Sequence, residues 1–205
     1  MTAQSVHFQT RPTPASLPFM KLLAISGSAR AQSTNTALLQ AVADLTPSNI
    51  TIEVFAGIGD LPVFSPDREG DATPEIVRAF QQKIAAADGL IIASPEYVRT
   101  LPGGLKNAID WLVSGEHVIG KPIALAHASH RGDDMLQTLR TVLSTISSNF
   151  NPGIFLRVPV MKQSPEAIAD FMTQPANRQA AAKFLNDFAA FCRDSRAIKP
   201  SAMDL

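Results

Sequence analysis

The stretch KLLAISGSARAQSTN, Lys21–Asn35, decides the architecture. Its first six residues form an apolar run that stops at Gly27, the pattern of a short strand buried on both faces. A loop of small and polar residues follows. Leu38, Leu39, Val42 and Leu45 then recur at helical spacing. Strand, polar loop and helix in this order make a unit of a parallel sheet.

The same alternation runs outward from that unit. Ile50, Ile52 and Val54 alternate as a strand. Thr73-Pro74-Glu75 predicts a helix start, with Thr73 as N-cap and Pro74 at the first position, and Ile76, Val77, Phe80 and Ile84 on one face. Leu90–Ala93, Pro122–His127 and Ile154–Val158 are the third, fourth and fifth strands. The helical stripes between and after them are Leu105, Ala108, Ile109, Leu112; Met135, Leu136, Leu139, Val142, Ile146; and Phe184, Leu185, Phe188, Phe191. Five strands alternating with helices predict a doubly wound parallel sheet covered on both faces. Such sheets bind ligands at the carboxyl ends of their strands. The loops after the first, third and fourth strands are therefore the places to look.

Composition narrows the function classes. The 205 residues suit one domain, residues 21–205, preceded by a Pro-containing arm, residues 1–20, expected to be poorly ordered. With 18 basic and 18 acidic residues the formal net charge is zero, which gives no electrostatic pull toward nucleic acid or an anionic membrane. No apolar run approaches the roughly 20 residues that span a bilayer, and residues 1–20 lack a signal-peptide core. Cys192 is the only cysteine, so no internal disulfide forms and a reducing cytoplasm is expected. No ligand set for a metal is apparent; His127 and His130, three apart with no third partner nearby, are a weak zinc pattern and read better as structural or rim residues.

Backbone N–H groups at a helix start attract anions. In the loop after the first strand, Ser28, Ser33 and Asn35 add neutral donors and Arg30 a planar charged fork suited to phosphate. The plainer reading makes Ser33 or Thr34 a simple cap and Arg30 a solvated side chain. Collected on one loop, these residues favour a phosphate site. With a single glycine and no Gly-Lys-Ser/Thr, the loop is neither of the usual nucleotide fingerprints.

Here the chain resembles a known family. GSARAQSTNTAL matches the pattern Gly-Ser-x-Arg-x-x-Ser-x-Asn-x-x-Leu of the NADPH-dependent FMN reductases, at Gly27 through Leu38. By that resemblance Ser28, Arg30, Ser33 and Asn35 hold the 5′-phosphate of FMN. The loop after the third strand, PEYVRTLPGGLKNAIDW from Pro95 to Trp111, is similar to the family's Pro-Glu-Tyr-Asn-x-x-x-Pro-Gly-x-Leu-Lys-Asn-Ala-Ile-Asp-Trp. The resemblance lays the flavin ring against Pro95, Glu96, Tyr97 and Val98. Val98 stands where the family usually has Asn, which removes a side-chain hydrogen bond and leaves the backbone contacts. In the loop after the fourth strand, Ser129 and Gly132 are expected at the ring edge. Asp133-Asp134 interrupts the family's glycine pattern and suits a helix start instead. Arg131 is a candidate to stabilise a reduced ring.

The resemblance spans about residues 21–160. It implies a flavodoxin-like sheet of order 2-1-3-4-5, non-covalent FMN, and NADPH or NADH as cosubstrate. The expected activity is reduction of a small acceptor: free flavin, a quinone, an azo dye or an oxidised metal ion. One ring site and no second dinucleotide fingerprint imply that donor and acceptor use it in turn, a ping-pong order. No catalytic residue is assigned, because neither a Ser-His-Asp set nor a carboxylate pair is present. Trp111, off the core stripe of its helix, is expected at a subunit contact, in a homodimer or homotetramer. The alternatives are a non-enzymatic flavodoxin-type electron carrier and a binding module for another phosphorylated ligand.

Overall fold

A computed structural model describes residues 18–197. The arm expected over residues 1–20 lies almost wholly outside them. Five strands, β1 (Met20–Ser26), β2 (Ile50–Phe55), β3 (Gly89–Ala93), β4 (Ile123–His127) and β5 (Phe150–Arg157), form one sheet of order β2-β1-β3-β4-β5, and every pairing is parallel. The expected order is thus observed. The connections are α1 (Thr34–Asp44), α2 (Glu75–Ala86), α3 (Gly103–Asp110) and α4 (Asp133–Ile146), and the chain continues through α5 (Pro165–Thr173) and α6 (Pro175–Ala197).

Alternate residues of each strand feed two cores. Leu22, Ala24, Ile91 and Ala126 pack with Leu38, Leu39, Met172 and Phe188 under α1, α5 and α6. Leu23, Ile25, Ile92 and Leu125 pack with Phe80, Ile84, Leu105 and Leu139 under α2, α3 and α4. Because β1, β3 and β4 are buried on both faces, their sequences read as continuous apolar runs. β5, an edge strand, breaks register between Ile123 and Leu125 of β4. Asn151, Pro152 and Gly153 sit in this irregular part, where Pro and Gly are tolerated and discourage edge pairing.

Three expectations change. Helix α2 begins at Glu75 with Pro74 at the cap position and no side-chain cap bond, so Thr73 lies one residue outside it; the Pro74 carbonyl accepts from Val77 and Arg78 instead. Helix α5 was not anticipated. Trp111 is 1% exposed within the single chain. Its Nε1 donates to the Pro62 carbonyl at 2.7 Å and its ring meets Phe64 edge-on. It is a core residue of its own subunit, because the segment after β2 folds back over the far side of α3. Asn107 anchors that segment through bonds to Phe64 N and the Leu61 and Pro62 carbonyls.

Candidate functional site

The sheet order reverses between β1 and β3, so the loops after these strands diverge and leave a crevice. The loop after β1 is held by its own residues. Ser26 Oγ accepts from Ser28 N, Ser28 Oγ from Arg30 N at 3.2 Å, and Ser33 Oγ from Thr36 N as the N-cap of α1. Ser28, Ser33 and Asn35 are buried, and Arg30 is exposed. The capping reading of Ser33 is thus realised, and capping places the open N–H groups of α1 beside the loop. Asn35 Oδ1 is buried without a hydrogen-bond partner. A half-turn of the carboxamide would present its NH2 there, so this position suits a ligand's acceptor. Gly27 is required by close approach: a Cβ would lie 2.8 Å from Leu105 Cδ2 and 2.9 Å from Ser94 Oγ.

The loop after β3 turns tightly at Val98-Arg99. Tyr97 and Thr100 exchange backbone hydrogen bonds of 3.0 and 3.1 Å, and both residues between them have positive φ, 51° and 61°. Tyr97 is half exposed and Val98 is 96% exposed. Glu96 and Arg99 leave this loop for α4. Glu96 accepts from Met135 N at 3.2 Å, supplying the cap that Gly132, at the cap position, has no side chain to give. Arg99 Nε donates to Asp134 at 2.6 Å, a bond that raises the guanidinium's already high pKa.

The loop after β4 closes the site. Ser129 Oγ accepts from Arg131 N. His127, buried at the end of β4, bonds the Arg131 carbonyl through Nε2, while Nδ1 is among the buried atoms without a partner. Burial pushes the His127 pKa below its usual value, and the nearby Arg157 charge adds to this. The ring is therefore neutral at pH 7, with Nε2 held against the loop; His130 is exposed. Asp133 and Asp134 occupy the first turn of α4, where acids suit the helix dipole. Neither caps it by hydrogen bond. They pair with Arg157 and Arg99.

A cavity of about 230 Å3 opens where these loops meet, lined among others by Asn35, Pro95, Glu96, Ser129, Arg131 and Gly132. Ser28, Arg30, Ser33, Tyr97 and Val98 do not line it: the first three belong to the loop after β1, and Tyr97 and Val98 to the exposed turn after β3. A wider groove of about 480 Å3 lies near the amino ends of β1 and β2, by Lys21, Thr51, Glu53 and Lys83; none of the three loops reaches it. Among the described residues no group of three or more His, Cys, Asp or Glu could hold a metal, and no helix is long and apolar enough to cross a membrane. Residues missed from sequence are Arg157 and the capping role of Glu96, both tied to partners far along the chain.

An open parallel sheet of this order, with a donor-rich loop at its switch point, defines a flavodoxin-like protein. Residues 20–158 match the NADPH-dependent FMN reductase family, and the chain belongs to it. A 2-hydroxy-1,4-benzoquinone reductase of a Burkholderia species is 49% identical over 92 residues, 45% of this chain and 49% of that protein. An NAD(P)H-dependent FMN reductase of Pseudomonas aeruginosa is 41% identical over 112 residues, 54% of this chain and 60% of that one. The chain thus spans half to three fifths of the length of these relatives. Among solved structures, the flavoenzyme NAD(P)H:(acceptor) oxidoreductase FerB of Paracoccus denitrificans superposes with a TM-score of 0.63 at 23% identity, over 87% of this chain and 98% of that one. This last likeness concerns the fold.

Proposed function

We propose that the protein is an FMN-dependent NAD(P)H oxidoreductase that reduces a small acceptor such as a quinone, free flavin, an azo dye or an oxidised metal ion. The observation that carries this reading is the loop after β1: three buried polar side chains at the N-terminus of α1, one with an orphaned amide, next to a free-standing arginine. Ser28, Arg30, Ser33 and Asn35 would hold the phosphate, Pro95, Glu96, Tyr97 and Val98 would frame the ring, and Ser129 and Gly132 would meet its edge. FMN, when bound, supplies the redox chemistry, and the protein supplies orientation and electrostatics. His127 is occupied by the Arg131 carbonyl and Glu96 by helix α4, so neither is free as a general acid or base. The chain works by positioning: donor and acceptor stack in turn over one site, and proximity lowers the barrier. The relatives' names favour a quinone as acceptor. A homodimer or homotetramer in the cytoplasm completes the reading.

The test starts with the absorption spectrum of the purified protein and NAD(P)H oxidation with a quinone. Arg30→Ala should weaken FMN binding more than about tenfold, since a charge-assisted bond contributes roughly 1.5–3 kcal/mol. Riboflavin, which lacks the phosphate, should bind as before. Equal losses for both flavins would remove Arg30 from the phosphate site.

A further inference from the structure

Arg157 ends β5, and its guanidinium reaches over the loop that follows β4. Nε donates to the Ser129 carbonyl at 3.0 Å; Nη2 donates to the Arg131 carbonyl at 3.3 Å and to Asp133 Oδ1 at 2.8 Å. His127 approaches the same Arg131 carbonyl from the end of β4. A carbonyl oxygen only accepts, so His127 Nε2 carries the proton of the neutral ring. Two donors from two strands thus grip one carbonyl. The carbonyl and N–H of a trans peptide point in opposite directions. Capture of the Arg131 oxygen therefore turns the Gly132 N–H away from both donors. Among the described residues that N–H has no acceptor, and Gly132 lines the cavity. The grip is tight because Gly132 sits at φ 99° directly over the His127 ring, where a Cβ would come within 2.9 Å of Nε2.

We infer that Arg157 and His127 are positioning residues that hold the loop after β4 so that the Gly132 N–H is kept unpaired for an acceptor atom on the edge of a ring bound in the cavity. The inference rests on the FMN reading above and adds to it the group that orients the ring-edge donor. Arginine suits the task because its planar fork serves the Ser129 and Arg131 carbonyls at once, which a single ammonium cannot do with the same geometry.

The test compares Arg157→Ala, Arg157→Lys and Asp133→Asn with the wild type. FMN and riboflavin affinities are read by fluorescence quenching, and amide exchange over residues 129–133 is read in the flavin-free protein. Arg157→Ala should weaken both flavins by the same factor, about fivefold to tenfold, the effect of losing one oriented donor. It should also alter the visible spectrum of bound flavin and speed exchange in the loop. Arg157→Lys should fall between, which keeps the test decisive if the alanine variant folds poorly. Asp133→Asn, which removes the ion pair and leaves both carbonyl bonds, should match the wild type. Unchanged affinities in both Arg157 variants, a loss for FMN alone, or an equal loss in Asp133→Asn would overturn the inference. A wild type that binds neither flavin would overturn the FMN reading and the donor role with it, while the exchange data would still decide whether Arg157 holds the loop.

Discussion

The loops after β1 and β4 flank one cavity and both carry local bonds, but they differ in how far they are tied from a distance. In the first, most side-chain bonds run between residues two or three apart, Ser28 N to Ser26, Arg30 N to Ser28 and Thr36 N to Ser33, and the longest, Thr36 Oγ1 to Ser26 Oγ, spans ten. In the second, Arg157 bonds Ser129, Arg131 and Asp133 from 24 to 28 residues away, and Glu96 reaches Met135 across 39. A locally bonded loop keeps its shape wherever its strand and helix are in place. A loop tied from a distance is correct only when β5, β3 and α4 are all docked. The loop after β1 thus depends on distant residues mainly at Gly27, whose N–H bonds the Ala93 carbonyl, whereas the loop after β4 depends on them along its length.

The largest expected effect tests that contrast at a glycine. Gly132→Ala would force a Cβ onto the His127 ring, which is buried and bonded and cannot swing aside, at a backbone angle that L residues rarely adopt. Strain and overpacking together should cost roughly 2–4 kcal/mol. Ser33→Ala in the locally bonded loop should cost about 1 kcal/mol, the loss of one N-cap. Urea denaturation of the two variants measures both. If Ser33→Ala proved the more harmful, the loop after β4 would be slack and the contrast would fail.

The same contrast explains what could be read in the sequence. Strand positions and the loop after β1 were legible because each depends on a short window: the apolar run Leu22–Ile25, the Ser33 cap, the periodic leucines of α1; the sheet order came from the family resemblance. Helix α5 carries a local signal as well: Ser164-Pro165-Glu166 is a capped start with Pro at the first helical position, and Ser164 Oγ accepts from Ala167 N. Trp111 lies off the sheet-facing stripe of α3 and is buried nonetheless, because the segment 61–64 covers another side of the helix. Arg157 and the reach of Glu96 to α4 were not legible. Nothing in a strand-end arginine or a loop glutamate announces a partner dozens of residues away until the sheet order brings them together.

Acidification should act on the loop after β4 through His127. The folded protein lowers the His127 pKa through burial, with Arg157 adding to it, so the unfolded chain binds this proton more readily. The resulting stability is complete above the unfolded value of about 6.5 and is lost as pH falls through it toward the lower folded value. His127→Gln stays neutral and retains a donor for the Arg131 carbonyl. Melting temperatures measured from pH 7.5 to 5 should fall more steeply for the wild type than for this variant. Parallel curves would show that His127 is not the group that responds.

The smallest expected effect is a gain, at the tip of the loop after β3. Val98 and Arg99 are the central pair of a two-residue turn and both have positive φ, the geometry that Asn and Gly adopt with least strain and a β-branched residue with most. Packing gives nothing back, since the Val98 side chain is 96% exposed. Arg99 at least recovers an ion pair with Asp134. Val98→Asn should therefore stabilise the protein by about 1 kcal/mol, which for a chain of this size is a rise of roughly 2–4 °C in melting temperature. The backbone path of Tyr97 and Thr100 stays the same, so FMN affinity should hold within about a factor of two, less than the effect of one ordinary hydrogen bond. A gain in stability with flavin binding unchanged would show that the Val98 side chain contributes neither to the fold nor to holding the cofactor. A lower melting temperature would mean that the valine is not strained at all. A large change in FMN affinity would show that the side chain of residue 98, and not its backbone alone, takes part in the ring site.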